Sequence, residues 1–235
     1  MVFGELCYWW LDAESYLGSI ISPLNLRRTA VIKAILTDLG NVVVLFDKRK
    51  GAELLAEKLE RPVDEIDRIL NGPTGSRRLK LLEVGKISTT DYHFLIQKEL
   101  DGLIGPKIFW EIHNSIFTPN SEVIDTFKAI QFTHPAVQFI AVSNTDVMRL
   151  ATMVWVSGLR FDKIVASCAV GFAKPDQRIF KVAAEMAEIE PRECLFIDDM
   201  GEYCQRAAAF GFQTFHYQDL SSFLQFLLKN ARFLA

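Results

Sequence analysis

The stretch Val31-Ile32-Lys33-Ala34-Ile35-Leu36-Thr37-Asp38-Leu39-Gly40-Asn41-Val42-Val43-Val44-Leu45-Phe46-Asp47 decides the fold. Its first half reads as a strand buried on both faces, because a short apolar run bounded by turn residues suits the interior of a parallel sheet. The run stops at an aspartate. Gly40-Asn41 then supplies a sharp turn, and apolar residues resume. A carboxylate at the carboxyl end of a core strand sits where open α/β sheets hold their ligands.

Further apolar runs of strand character fall at residues 137–142, 163–166, 194–197 and 213–216. Helical spacing separates them. Val147, Leu150 and Val154 share one face, and Ile179, Phe180, Ala183 and Met186 recur on another. Residues 202–210 are small and Ala-rich, with Gly211 as a helix stop. This alternation predicts βαβ units and a Rossmann-like parallel sheet with helices on both faces, an α/β core. Between residues 50 and 130 the strand signals vanish and amphipathic patterns follow one another at 51–59, 63–70, 88–100, 107–113 and 121–130. Asn71-Gly72-Pro73-Thr74-Gly75 reads as a loop, and Thr118-Pro119-Asn120-Ser121 as a capped helix start. The expected organisation is a core of residues 31–49 and 131–235, an inserted α-helical cap of residues 50–130, and an N-terminal extension of residues 1–30.

Half of the 235 residues are hydrophobic and 23% are charged, enough for a sizeable core. A formal net charge of -3 argues against a nucleic-acid-binding surface. Cys7, Cys168, Cys194 and Cys204 are scattered without a C-x-x-C pair, as expected for reduced thiols in a cytoplasmic protein. No apolar run approaches a membrane span of ~18 residues. The first thirty residues hold Tyr8, Trp9 and Trp10 but also Glu5, Asp12 and Glu14, and lack the basic start of a secretory signal. They read as a packed segment, a partner-binding segment, or residues upstream of a later translation start.

Three more polar groups close apolar runs: Ser143-Asn144, Lys174-Pro175 and Asp198-Asp199. Singly, each has a plain structural explanation as a turn or helix cap. Together, each at the end of an expected strand, they compose a phosphoryl-transfer site. An aspartate is ionised at neutral pH and attacks phosphorus without a base to activate it. An anionic nucleophile meeting an anionic ester needs charge neutralised nearby. A divalent cation between Asp38 and the Asp198-Asp199 pair would supply that, and an oxygen-rich set favours magnesium. Lys174 offers a point charge to nucleophile and phosphoryl group alike. Ser143 offers a hydroxyl to the equatorial oxygens.

Response-regulator receivers use similar parts, but there the acidic pair comes first in the chain; here it comes last. In this order the chain resembles the haloacid dehalogenase superfamily of hydrolases with a helical cap of the first type, over roughly residues 31–217. Asp38-Leu39-Gly40-Asn41-Val42, Ser143-Asn144, Lys174-Pro175-Asp176 and Asp198-Asp199 match its four motifs, and the D-L-G-N variant points to its phosphatases. The resemblance implies a magnesium-dependent hydrolase of small phosphorylated metabolites, sugar phosphates among them, acting through an aspartyl-phosphate. It implies Asp38 as nucleophile, Lys174 as neutralising charge, Ser143, Asn144 and Lys174 on the phosphate, and Asp38, the Gly40 carbonyl, Asp198 and Asp199 around the metal, with Asp199 the direct ligand.

Two departures stand out. Most phosphatases of the superfamily carry a second aspartate, the general acid, where this chain has Gly40; its loss costs ~10²–10⁴ in rate unless the leaving group needs little protonation. Acyl phosphates and sugar 1-phosphates are therefore the expected substrates, and Asp47 is weighed as a substitute acid against a role in the flap. Tyr203 stands where many relatives have an asparagine near the metal. Arg77, Arg78 and Lys80 are read as a charged helix face or an anion-binding cap loop, and His93, His113, His134 and His216 as core or surface residues. The rival readings are a catalytically silent scaffold binding a partner and a metal-free 2-haloacid dehalogenase.

Overall fold

β1 (Ala34–Thr37) is buried along its whole length and runs through the centre of a five-stranded sheet. The computed structural model describes residues 31–102 and 104–230; the expectations for residues 1–30 lie outside them. β1 pairs in parallel with β4 (Gln138–Ser143) on one side and β6 (Cys194–Asp198) on the other. β5 (Lys163–Ala166) extends the sheet beyond β4, and β7 (Gln213–His216) beyond β6, again in parallel. The order β5-β4-β1-β6-β7 makes the chain reverse its direction of travel across the sheet beside β1, where such folds open a crevice at the strand ends.

Side chains alternate across the sheet. Ile35, Phe139, Ala141, Leu195 and Ile197 face α6 (Ser121–Thr133) and α11 (Leu220–Asn230), packing on Phe127 and Phe223. Ala34, Leu36, Ile140, Val142 and Phe196 pack on the other face with Ile179 and Phe180 of α9 (Gln177–Ala187) and Ala207 of α10 (Gly201–Phe210). The α/β parallel core with helices on both faces is as the sequence predicts. α11 had no counterpart in the sequence reading.

After β1 the chain makes a short antiparallel ribbon, β2 (Val44–Phe46) with β3 (Phe117–Pro119), and all intervening helices hang from it. These are α1 (Lys48–Leu59), α2 (Val63–Asn71), α3 (Pro73–Glu83), α4 (Thr89–Glu99) and α5 (Pro106–Asn114). They bury their own cluster, with Leu55, Ile66, Tyr92, Ile96 and Phe109 at its centre. α6, inside the 50–130 span expected as cap, shares the cluster of the sheet through Val123, Ile124, Phe127 and Ile130.

One local expectation is overturned and another is met only in part. Residues 71–75 are not a loop, because Pro73 opens α3 at its first turn, where a missing N–H costs nothing. Gly75 is buried there because a Cβ would lie 2.2 Å from the Leu70 carbonyl oxygen; the glycine lets α3 turn tightly back on α2. A helix does start at Ser121 with Asn120 at its N-cap position, as expected, but Thr118 and Pro119 belong to β3 and the Asn120 side chain makes no capping bond. Asn120 instead donates its side-chain amide to the Val42 carbonyl (2.8 Å) and the Tyr217 hydroxyl (3.2 Å), fastening the ribbon to the core.

Candidate active site

The four motifs meet at the carboxyl ends of β1, β4 and β6. Asp38 follows β1 and is almost fully buried; its Oδ1 accepts the Leu39 N–H at 2.7 Å, which fixes the carboxylate rotamer. Its Oδ2 lies 3.1 Å from Lys174 Nζ, and the same ammonium reaches Asp198 Oδ2 at 2.6 Å. Lys174 is brought there by a loop whose Lys174–Pro175 bond is cis, and that loop is clamped by Asn144. The Asn144 Nδ2 donates to the Lys174 carbonyl (2.9 Å), while the Lys174 N–H donates to Asn144 Oδ1 (2.8 Å). The side chain of Asn144 is thus engaged with the lysine loop.

Burial would lower the Lys174 pKa, but Asp38 and Asp198 outweigh it and raise it, so the group stays an ammonium. Asp198 is fully buried at the end of β6. Burial pushes its carboxyl up to about 7; the charge of Asp38 adds to this, while Lys174 and the Met200 N–H oppose it. Asp199 is also raised, by burial first and by Asp38, against a hydrogen bond of 3.1 Å from Asn41 Nδ2. Two of these carboxylates thus share one ammonium, with Asp199 beside them. One oxygen from each of Asp38, Asp198 and Asp199 lies within 4.8 Å of the other two, a donor set whose excess negative charge fits a hard divalent cation.

Ser143, buried at the end of β4, lines the same cleft as Asp38, Gly40, Asn144 and Asp199. Tyr203 also faces it and sets its ring 5.4 Å from Lys174 Nζ, as a cation–π partner of the ammonium. Asp47 does not reach the site: its Oδ1 accepts the N–H groups of Arg49 and Lys50 and caps α1, the flap role. Arg78 is no anion receptor. It is buried, donates to the Ile69 carbonyl at 2.7 Å and pairs with Glu99, knitting α2, α3 and α4 together.

The site holds residues the sequence reading passed over. Arg149 of α7 (Val147–Ser157) bonds Asp146 Oδ2 (2.5 Å) and Glu83 Oε1 (2.9 Å), joining the end of α3 to the core at the cleft wall. Ser167 accepts the Thr145 N–H and donates to the Glu83 carbonyl across the same seam. His93 and His134 keep the core and surface roles expected of them, the first bonded to the Ile104 carbonyl and the second to Thr133. His216 bonds the Asp199 carbonyl at 2.9 Å, and His113 lines the cleft from α5. Asp146-Val147-Met148-Arg149 carried a visible i,i+3 acid–base signal, whereas His113 carried none.

A family model described as haloacid dehalogenase-like hydrolase matches residues 32–211. The D-ribitol-5-phosphate phosphatase of Bacteroides thetaiotaomicron is 24% identical over 198 residues, 79% of this chain and 91% of that one. Acyl-CoA dehydrogenase family member 10 of Mus musculus is 40% identical over 55 residues, 23% of this chain but only 5% of that much longer protein. Among solved structures, a HAD family enzyme of Bacteroides thetaiotaomicron in complex with magnesium and inorganic phosphate superposes with a TM-score of 0.67. It is 23% identical, with 82% of this chain and 98% of that chain covered.

Proposed function

Because the chain belongs to the haloacid dehalogenase-like hydrolases, we propose that it hydrolyses small phosphate monoesters with the help of magnesium and through a phosphorylated Asp38. The observation that carries this reading is the contact set itself: one buried ammonium between Asp38 and Asp198, with three carboxylates within 4.8 Å. When bound, magnesium held by Asp38, Asp199, the Gly40 carbonyl and, directly or through water, Asp198 would neutralise the phosphate and the carboxylates facing it.

The chain's own residues account for the rest. An Asp38 oxygen attacks phosphorus as the bond to the leaving oxygen breaks, and that oxygen takes a proton from solvent. Water then attacks the phosphoryl group, which frees inorganic phosphate and restores the carboxylate. Lys174 and the Ser143 hydroxyl stabilise charge on the equatorial oxygens in both steps. Asn144 acts through the lysine: its amide fixes the loop that delivers Nζ, and any contact with phosphate falls to its backbone. Residues 48–114 form the cap over this cleft, with a small phosphorylated metabolite as substrate.

No aspartate stands at position 40, so turnover depends on the leaving group. Acyl and sugar 1-phosphates are expected to outpace alkyl esters; the Bacteroides relative is named for an alkyl ester, D-ribitol 5-phosphate, which makes that ester the informative comparison. The test is phosphate release from such a panel with and without magnesium, by wild type and Asp38→Asn. Magnesium-dependent release that disappears in the variant is expected. Folded protein that binds magnesium and releases nothing would instead establish the silent scaffold.

A further inference from the structure

Phosphoryl transfer through a carboxylate takes two displacements, and a glycine at position 40 hinders them unequally. In the first, an Asp38 oxygen bonds phosphorus and the leaving oxygen departs with its electron pair. A leaving group of low basicity needs no proton, so an absent acid slows that step little. In the second, a water oxygen bonds phosphorus and the bond to Asp38 breaks, its pair returning to the carboxylate. The attacking water must also shed a proton. It is the same water whatever the substrate, so no choice of leaving group relieves the second step.

The cleft offers that water no base among the described residues. Asp47 caps α1 and does not line the cleft. Glu83 is tied to Arg149 at 2.9 Å. Asp198 is bonded to Lys174, and Asp199 accepts from Asn41. The phenols of Tyr92 and Tyr203 keep their protons at neutral pH, and burial raises both further. His113 lines the cleft from the helical block, but its Nε2 is buried without a hydrogen-bond partner among the described residues. Burial also pushes its imidazole down to about 4, with Arg149 adding to the fall and Asp146 opposing it. So weak a base takes no proton from water.

Beside the nucleophile stands a ring instead. The Asn41 N–H donates to the Val44 carbonyl and the Val44 N–H to the Leu39 carbonyl, both at 2.8 Å, so β2 folds tightly back on the Asp38 turn. Phe46 thereby joins Asp38 and Gly40 on the cleft wall, where a Cβ at position 40 would meet three of its ring carbons at 2.9–4.0 Å. Phe117 and the Lys48 ammonium, 5.9 Å from the ring centroid, hold it there. Half-buried, the ring presents apolar surface to the cleft. Such a surface neither accepts a proton nor orders a water for attack.

We infer that Phe46 is a positioning residue that keeps attacking water from a phosphorylated Asp38, so that the phosphoenzyme accumulates in turnover and its hydrolysis sets kcat. This rests on the phosphatase reading and adds to it which step limits the reaction and which side chain makes it so.

The test is rapid mixing of the full chain with p-nitrophenyl phosphate and magnesium. A burst approaching one equivalent of p-nitrophenol per chain is expected before a slower steady phase, with acid-quenched protein carrying the phosphoryl group on Asp38. Acetyl phosphate should give the same kcat within about twofold, because both substrates wait on the same hydrolysis. Linear release from the first turnover, with Asp38 unmodified, overturns the inference and leaves the phosphatase reading standing. Neither release nor phosphorylation removes that reading, and the inference with it. Phe46→Leu should raise the steady rate severalfold and shrink the burst, while the rate of the burst itself stays as in wild type. A merely structural role would slow both phases together, and that result, or an unchanged burst, overturns the part given to Phe46. Gly40→Asp combined with Phe46→Ala places a carboxylate in the vacated space. It should abolish the burst and speed the steady phase by ~10²-fold, the lower end for a positioned base.

Discussion

A Cβ built on Gly40 would lie 2.9 Å from a ring carbon of Phe46, and that ring is held edge-on against Phe117 at 6.0 Å. The space in which other members of the family carry their second aspartate is filled here by an aromatic side chain from β2. Gly40→Asp alone is therefore expected to overpack the turn, at about 1–3 kcal/mol in stability, without gaining turnover. Combined with Phe46→Ala, it should raise the rate on alkyl phosphates relative to acyl phosphates; steady-state rates on the two ester classes decide this. His113 gives a second expectation at this scale. Its folded pKa of about 4 lies below the ordinary 6.5, so on acidification the unfolded chain takes up the proton first. Stability from this group is complete above about pH 6.5 and is lost as pH falls toward 4, on the order of 2–3 kcal/mol. Carboxylates titrate in the lower part of that window too, so the measurement is the difference between melting curves: His113→Phe should lose less than wild type. Asp38, Ser143, Lys174 and Asp198 were legible in the sequence because each closes an apolar run. His113 was not, because an unpaired nitrogen becomes visible only once α5 has folded against its neighbours.

At the scale of elements, strands were easier to read than breaks. β1, β4 and β6 are apolar for reasons of burial on both faces, and no competing pattern hides them. α3 was obscured because Gly72-Pro73 and Gly75 carry the composition of a loop, although proline at a first helical position and glycine at a close crossing are helix features in context. The β2–β3 ribbon was missed because three-residue strands have too little alternation to register. The tight α2–α3 turn yields a paired expectation. Gly75→Ala places a methyl against the Leu70 carbonyl at 2.2 Å, with backbone that cannot give way, and should cost about 1–3 kcal/mol. Gly105→Ala meets nothing within 4 Å and should leave stability within ±0.5 kcal/mol. Denaturant melts of both variants check the contrast.

Across the whole molecule, besides the packing of α5 on α7, the helical block touches the core at a narrow seam: Glu83 to Arg149, the Glu83 carbonyl to Ser167, and Gly85 against the Cys168 carbonyl. None of these pairings was legible, since they join residues more than sixty positions apart. Glu83→Ala removes one of the two carboxylates on Arg149 and loosens the seam. It should raise KM more than it lowers kcat, and speed amide hydrogen exchange in α3 while leaving β1 and β4 protected. An exchange rate in α3 equal to wild type would show that the ion pair does not hold the block in place.

The ribbon has one more consequence. Phe46 and Phe117 are direct cross-strand partners, so 70 residues leave and re-enter the core at a single doorway. Excising residues 47–116 and joining the two phenylalanines through an Asn-Gly hinge would leave every strand pairing of the five-stranded scaffold in place, at the cost of Ile116 in its core and of the Glu83 partner of Arg149. Foreign lids of any length could be transplanted at the same doorway, since the loop they close ends where it began.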